Sequence, residues 1–389
     1  MERSNQKKYD LIVVGAGLYG ATVAQKATER GLKVLVMEKE DDVGGMARDS
    51  EYGGIRVHRY GAHIFHTDNE KVWRYANRFS GFNHYIHMPV ARYMNEIYSL
   101  PFNMHTFREI YGVSRPQEVR DILKKAQSES DGEADNLRDF ATRQVGKKMF
   151  TKLIRGYTEK QWGRPCEELP ASILKRIPIR FTYDNRYFTD AFQGIPINGY
   201  TEMIREMLCK TITLTGINFL DDKEKYSQMA ARILYTGPID AWFDYQLGAL
   251  EYRTVRFSHI LVHTDNYQGC AVVNHTDPFT PYTRVIEHKW FNGGKGIDGK
   301  PTDCTVISEE YSVEWQKGMT PYYPITDEKN LKLYQQYRKM AGQQENVYFG
   351  GRLGDYAYYN MDQTIEKALR MTETICADIE HARKGEEDR

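Results

Sequence analysis

An α/β fold carrying an inserted helical region is predicted by three features of this 389-residue sequence. Tyr9 to Asp49 reads as strand, glycine turn, helix, strand and second glycine turn. Leu137, Ala141, Val145, Met149 and Leu153 recur every four residues, the spacing of one amphipathic helix with a single buried stripe. Between these regions, Tyr85 to Leu100 turns β-rich through Ile86, Val90, Tyr93, Ile97 and Tyr98 until Pro101 breaks it.

The first strand is Leu11-Ile12-Val13-Val14, a continuous apolar run of the kind a fully buried parallel strand needs. Gly15-Ala16-Gly17-Leu18-Tyr19-Gly20 follows at once. Gly15 permits the tight turn, Gly17 lets the backbone approach a pyrophosphate, and Gly20 allows close packing of the helix through Ala24 and Ala27. The free N–H groups at that helix start face the phosphates. Gly31 stops the helix, Lys33 to Met37 makes the second strand, and Glu38 at its end can accept the ribose hydroxyls of an adenosine. A dinucleotide is therefore expected. The second glycine pair, Gly44-Gly45, selects FAD, because nicotinamide folds have no standing need for one there, whereas flavoproteins of the glutathione reductase and amine oxidase group do.

Tyr52 to Thr67 contains His58, His63 and His66. Their irregular spacing and the lack of nearby acidic ligands point away from a metal, and glycine-flanked His63 is expected to line the isoalloxazine. Ser114-Arg115-Pro116-Gln117 reads as a capped helix start leading into Val119, Ile122 and Leu123. The polar tract Gln127 to Asp135 reads as an exposed linker, and Ile365, Leu369, Thr372, Cys376 and Ile379 form the stripe of a final helix. No second GxGxxG appears, so the chain has no NAD(P)H domain of its own.

Composition narrows the function classes. Lysine plus arginine equals aspartate plus glutamate at 53 each, so there is no global field to hold nucleic acid or an anionic membrane, and an anionic ligand must meet a local cluster. Cys166, Cys209, Cys270, Cys304 and Cys376 are odd in number and scattered without a CxxC pair, which fits a reduced cytoplasmic protein. No apolar run reaches membrane-spanning length. Twenty-eight tyrosines exceed what a core requires and suit a cleft that offers both apolar faces and hydroxyls.

The motifs GYTEKQWG (156–163), LPASILKR (169–176), FQGIP (192–196), PYTR (281–284) with EHK (287–289), PYYPI (321–325) and GRLGDYAYYNMD (351–362) are far more specific than the fingerprint. From about Tyr9 to about Ile379 the chain resembles the bacterial UDP-galactopyranose mutase family. The resemblance implies a FAD-binding Rossmann-like domain with an inserted helical bundle and an antiparallel β-sheet domain. Residues 1–80, 198–247 and 320–389 would bind FAD, 104–180 would form the helical domain, and 81–103, 181–197 and 248–319 the sheet domain. It implies a non-redox isomerase that interconverts UDP-galactopyranose and UDP-galactofuranose through a covalent adduct of the sugar with N5 of reduced FAD. It further implies an external reductant such as NAD(P)H and a homodimer.

Carried over residue by residue, the resemblance puts Arg176 and Arg284 on the substrate diphosphate, where planar guanidinium forks bind phosphate oxygens bidentately. Tyr157, Tyr187, Tyr323 and Tyr358 would bond phosphate oxygens, with Tyr322 an alternative to Tyr323. Trp162 would border the sugar, and Asn274 completes the substrate set. His63 would sit on the flavin, Arg352 near the FAD pyrophosphate, and the helix starting at Met361 and Asp362 would aim its positive end at the reduced ring. Met46, Ala62 and Asn360 stand where the family often has asparagine, proline and aspartate, and Leu153-Ile154 replace an aromatic pair. An ordinary flavin oxidase and a non-enzymatic binding module share the fingerprint; turnover without net flavin oxidation separates the first, and a flavin spectrum the second.

Overall fold

The computed structural model describes residues 7–128, 135–171, 173 and 179–387, with side chains as far as 385. Tyr9–Val14 is the central strand of a five-stranded, wholly parallel sheet. Its neighbours are Ala230–Tyr235 on one side and Val34–Met37 on the other, with Val347–Phe349 and Ile212–Leu214 at the two edges. Leu11, Val13, Val34 and Val36 face one layer, while Ile12, Leu35, Ile233 and Tyr235 face another, which is why these strands read as unbroken apolar runs.

Helix Leu18–Glu29 covers the first face together with Tyr200–Leu208 and the long helix Met361–Glu387. In that last helix Ile365, Ala368, Thr372, Ile375, Cys376 and Ile379 are buried at helical spacing, and Leu369 packs at the margin. Phe219, Trp242, Phe243 and Tyr337 fill the opposite face. Gly31, at φ +80°, turns the chain out of the first helix in a conformation that L side chains rarely adopt.

A second sheet of seven strands runs in the order Tyr323–Pro324, Tyr252–Val262, Thr305–Glu314, Arg284–Glu287, Val272–His275, Val90–Tyr93, Glu96–Ser99. The expectation of an antiparallel sheet needs one amendment, because Val272–His275 and Val90–Tyr93 pair in parallel. The Val90–Ser99 hairpin reaches this edge from the far side of the helical region, and so long a connection permits parallel joining.

The helical region packs around Phe107, Ile110, Val119, Leu137, Ala141, Val145, Met149, Leu153 and Leu169. The four-residue stripe is buried throughout, yet it is not one helix. Leu137–Val145 ends at Gly146, whose φ of +82° no α-helix contains, and after a short Lys147–Met149 turn the chain enters a π-helical stretch, Phe150–Arg155. Helix Gly156–Trp162 continues directly from it. Helix Pro116–Ser128 begins as expected, with Glu118 accepting the Ser114 and Arg115 N–H groups at 3.0 and 2.7 Å. It absorbs the first residues of the polar tract, and 129–134 lie outside the described residues.

Candidate active site

A continuous cleft of about 1040 Å³ runs from the fingerprint to the seven-stranded sheet. Gly15, Gly17, Gly20, Glu38, Gly44, Gly45, His63, Arg352 and Met361 line it from the parallel sheet's side, and Tyr157, Tyr187, Asn274, Arg284 and Tyr358 line it beyond. Tyr187 and Tyr358 are 42% and 44% exposed, which places them on a wall rather than in a core.

The fingerprint end is shaped by backbone. A Cβ on Gly45 would lie 2.9 Å from the Gly17 Cα, and one on Gly15 would lie 2.1 Å from Thr236 Oγ1, so the two glycine turns touch each other and the neighbouring strand. No side chain caps helix Leu18–Glu29, which leaves its first N–H groups facing the cleft. Glu38 is buried, and its carboxylate accepts the Ala16 N–H at 2.7 Å and the Glu40 N–H at 3.0 Å, which braces the first turn against the second strand. Arg48 Nε and Asp362 Oδ1 are buried without a hydrogen-bond partner. Bare backbone donors and a carboxylate with lone pairs to spare suit an extended dinucleotide. The helix Met361–Glu387 also opens here, with Met361, Gln363 and Thr364 on the cleft wall.

At the other end Arg284, the first residue of its strand, donates from Nη2 to the Tyr157 hydroxyl at 3.0 Å. Its Nε lies 3.1 Å from Glu310 Oε2, off the direction of a hydrogen bond, and both side chains are largely buried. Burial pushes the Glu310 carboxyl up and Arg284 pulls it back. Tyr157 and Arg284 are 127 residues apart in the chain, and Lys160 ties their elements together. Lys160 Nζ donates to the His275, Thr280 and Tyr282 carbonyls at 2.8, 3.1 and 3.0 Å, all just ahead of Arg284. Burial holds its ammonium down at about 8. Gly156 makes the same joint from the backbone side, since a Cβ there would lie 2.4 Å from the Thr276 carbonyl oxygen.

The two adjacent tyrosines differ in their neighbours. Tyr322 packs on Tyr60 and Phe257, whereas the Tyr323 ring lies 5.5 Å from that of Tyr358, in the field of Arg284. Arg352 sits 4.3 Å over the Tyr358 ring and donates to the Tyr322 carbonyl. Trp162 packs on the helical core and, with Tyr323 and Asp362, is not among the residues lining the cleft. Arg176 lies outside the described residues. Met46, Ala62 and Asn360 line the cleft, while Leu153 and Ile154 are buried in the helical core.

Sequence reasoning gave no role to His66, His87 or Glu310. His87 is buried on the cleft wall with Nδ1 3.0 Å from the Tyr85 hydroxyl, and burial holds it down at about 3. His66 stacks on Phe188 and faces Asp190 at 3.2 Å. His63 Nδ1 lies 2.8 Å from the Gly61 carbonyl oxygen, and burial holds that imidazole down at about 4.

A family model described as UDP-galactopyranose mutase matches residues 152–358, and one described as an NAD(P)-binding Rossmann-like domain matches 13–79. The chain is 37% identical to a probable UDP-galactopyranose mutase of Klebsiella pneumoniae over 95% of each chain. It is 35% identical to a dTDP-fucopyranose mutase of Escherichia coli over 92% of this chain and 96% of that one. A crystal structure of reduced UDP-galactopyranose mutase superposes with a TM-score of 0.72 at 15% identity, covering 95% of this chain and 94% of that one. Putrescine oxidase gives 0.57 at 10%, covering 95% and 99%.

Proposed function

Because this chain belongs to the UDP-galactopyranose mutase family, we propose that it binds FAD and isomerises UDP-galactopyranose and UDP-galactofuranose without net redox change. The observation that carries this reading is one cleft of about 1040 Å³ shared by a dinucleotide fingerprint and a largely buried arginine–tyrosine pair. The chemistry reduced FAD supplies there is an electron-rich N5, a nucleophile for the anomeric carbon.

The chain's own residues bind, orient and shield. Glu38 and the two glycine turns hold the adenosine and pyrophosphate, and His63, Arg352, Met361 and Asp362 border the flavin. Arg284, with Arg176, grips the diphosphate; Tyr157, Tyr187 and Tyr358 supply hydroxyls to it, and Asn274 completes the sugar's surroundings. As the anomeric bond breaks, charge grows on the departing phosphate, so Arg284 contributes more in the transition state than in the ground state. Held in place, UDP returns by an effectively unimolecular step. An external reductant such as NAD(P)H keeps FAD active, and a homodimer in the cytoplasm is the setting; five free cysteines and the lack of any membrane-length apolar helix among the described residues agree with it.

The test is chromatographic conversion of UDP-galactofuranose with and without dithionite. Conversion only with reductant, and without stoichiometric flavin oxidation, supports the proposal; none in either condition refutes it. The second mutase relative favours a parallel reading, in which the nucleotide sugar is dTDP-fucopyranose. Running both sugars in one assay ranks them by kcat/KM.

A further inference from the structure

We infer that His58, His288, Ser308 and His259 are positioning residues for His63, acting as a directional hydrogen-bond chain from the seven-stranded sheet to the cleft. The inference rests on the proposed function for what His63 does, and on geometry alone for how it is held.

The chain has four links. The His63 backbone N–H donates to His58 Nδ1 at 3.2 Å, and the His58 backbone N–H donates to His288 Nδ1 at 3.2 Å. His288 Nε2 lies 2.5 Å from Ser308 Oγ, and Ser308 Oγ lies 2.6 Å from His259 Nδ1. A backbone N–H can only donate, which fixes the roles in the first two links. His58 Nδ1 and His288 Nδ1 are acceptors, so each neutral ring carries its proton on Nε2. His288 Nε2–H therefore donates to Ser308, and the Ser308 hydroxyl donates to His259. Burial supports neutral rings: it holds His288 down at about 3, His58 well below the usual imidazole value, and His259 lower than usual.

At its far end the chain delivers an oriented histidine. The His63 carbonyl accepts from the Tyr200 hydroxyl at 3.1 Å, so both of its backbone polar groups are pinned. Its Nδ1–H donates to the Gly61 carbonyl, which leaves Nε2 as a bare acceptor on a residue that lines the cleft. Gly61 is at φ +97°, the left-handed turn that brings its carbonyl under the ring. At its near end the chain is anchored beside the substrate's arginine: Ser308 pairs with Ile286, and Arg284 pairs with Glu310 on the same two strands. One network thus sets His63 relative to Arg284.

His259 is the half-buried member, and Ser308 and His288 are buried. Arg59 and His288 bear on His259; His288, His63 and Arg56 bear on His58; Arg352 and Arg284 bear on His63. Protonation of His259 puts a proton on Nδ1 facing Ser308. The hydroxyl must then turn toward His288 Nε2, which forces the His288 proton onto Nδ1, against the His58 N–H. Two donors now meet at the anchor of the His63 loop. The alternative, a Ser308 hydroxyl accepting from both rings, leaves its own proton without an acceptor in a fully buried position.

Histidine-15N spectra of the flavin-loaded protein test the chain directly. The expected result at pH 7 is Nε2–H for His58, His288 and His259 and Nδ1–H for His63; an Nδ1–H or charged His58 or His288 overturns the inference. In Ser308→Ala the visible flavin spectrum should shift and turnover should fall about tenfold, with UDP affinity within about twofold of wild type. In His259→Gln, whose amide oxygen still accepts but cannot titrate, the acid limb of turnover below the ordinary imidazole range should disappear. An unchanged flavin spectrum in the first variant, or an unchanged acid limb in the second, also overturns it. A wild-type protein inactive on both nucleotide sugars bears on the proposed function alone, and the 15N spectra still decide the chain.

Discussion

Replacing Arg284 by alanine removes two things that must be measured separately. One is a guanidinium facing the cleft, whose Nη2 already holds the Tyr157 hydroxyl at 3.0 Å. A charge-assisted contact to a phosphate oxygen contributes about 1.5–3 kcal/mol, so UDP affinity should fall roughly ten- to hundredfold. The other is the counter-charge for Glu310, whose side chain is only 8% exposed. Breaking a buried pair by removing one partner costs about 3–5 kcal/mol when the orphan stays charged. Glu310 can escape by taking a proton, since burial already pushes its carboxyl up. In Arg284→Ala the folded carboxyl then binds a proton that the unfolded one has lost, so stability falls as pH rises from the unfolded carboxylate range toward neutrality. The double variant Arg284→Ala with Glu310→Gln removes that orphan charge. Urea midpoints should recover in the double variant, while calorimetric UDP affinity stays as low as in the single one. UDP binding restored together with stability would show that Arg284 holds the fold and not the diphosphate.

Glu38→Ala deprives the Ala16 and Glu40 N–H groups of their acceptor as well as any ribose of its partner, so we expect lower flavin occupancy and a loss of about 1–3 kcal/mol. The flavin-to-protein absorbance ratio and a urea titration measure the two. Lys160→Met strands three carbonyls and should lower stability by about 2 kcal/mol and weaken UDP binding, through the joint between Tyr157 and Arg284; UDP affinity equal to wild type would confine Lys160 to stability. His63, His87 and His288 have folded values depressed to about 4, 3 and 3, so between these and the ordinary value of about 6.5 the unfolded chain binds more protons. Stability should therefore drop as pH is lowered from about 6.5 toward 4, and a urea midpoint independent of pH across that window would contradict their neutral burial.

What the sequence disclosed and what it withheld follow from the range of the interactions. Strand, turn, helix and Glu38 lie within one contiguous stretch, each residue constrained by its near neighbours, so the fingerprint half of the cleft was readable from type and spacing. Arg284 and the tyrosines were readable only through family motifs, because nothing local distinguishes them from surface residues. The buried stripe through Leu153 was read correctly in period but not in continuity, since Gly146 breaks the helix without disturbing which residues face inward. Lys160 and the His58–His288 chain left no pattern at all. Their partners are backbone groups and residues up to 230 positions away, and a backbone acceptor has no letter in the sequence.

The π-helical stretch Phe150–Arg155 has a consequence of another kind. A π turn holds one residue more than the α-helix on either side, and an α-helix advances about 100° per residue. Deleting a single residue there would let the segment relax to α geometry with its flanks in place, whereas relaxing with all of its residues kept would rotate everything that follows by about that angle. In the second case Tyr157 would swing off the cleft and Lys160 off its three carbonyls, although every motif residue remained in the chain. Point substitutions across 150–155 would miss this, because what the stretch contributes is a count of residues, and only insertions and deletions sample that variable.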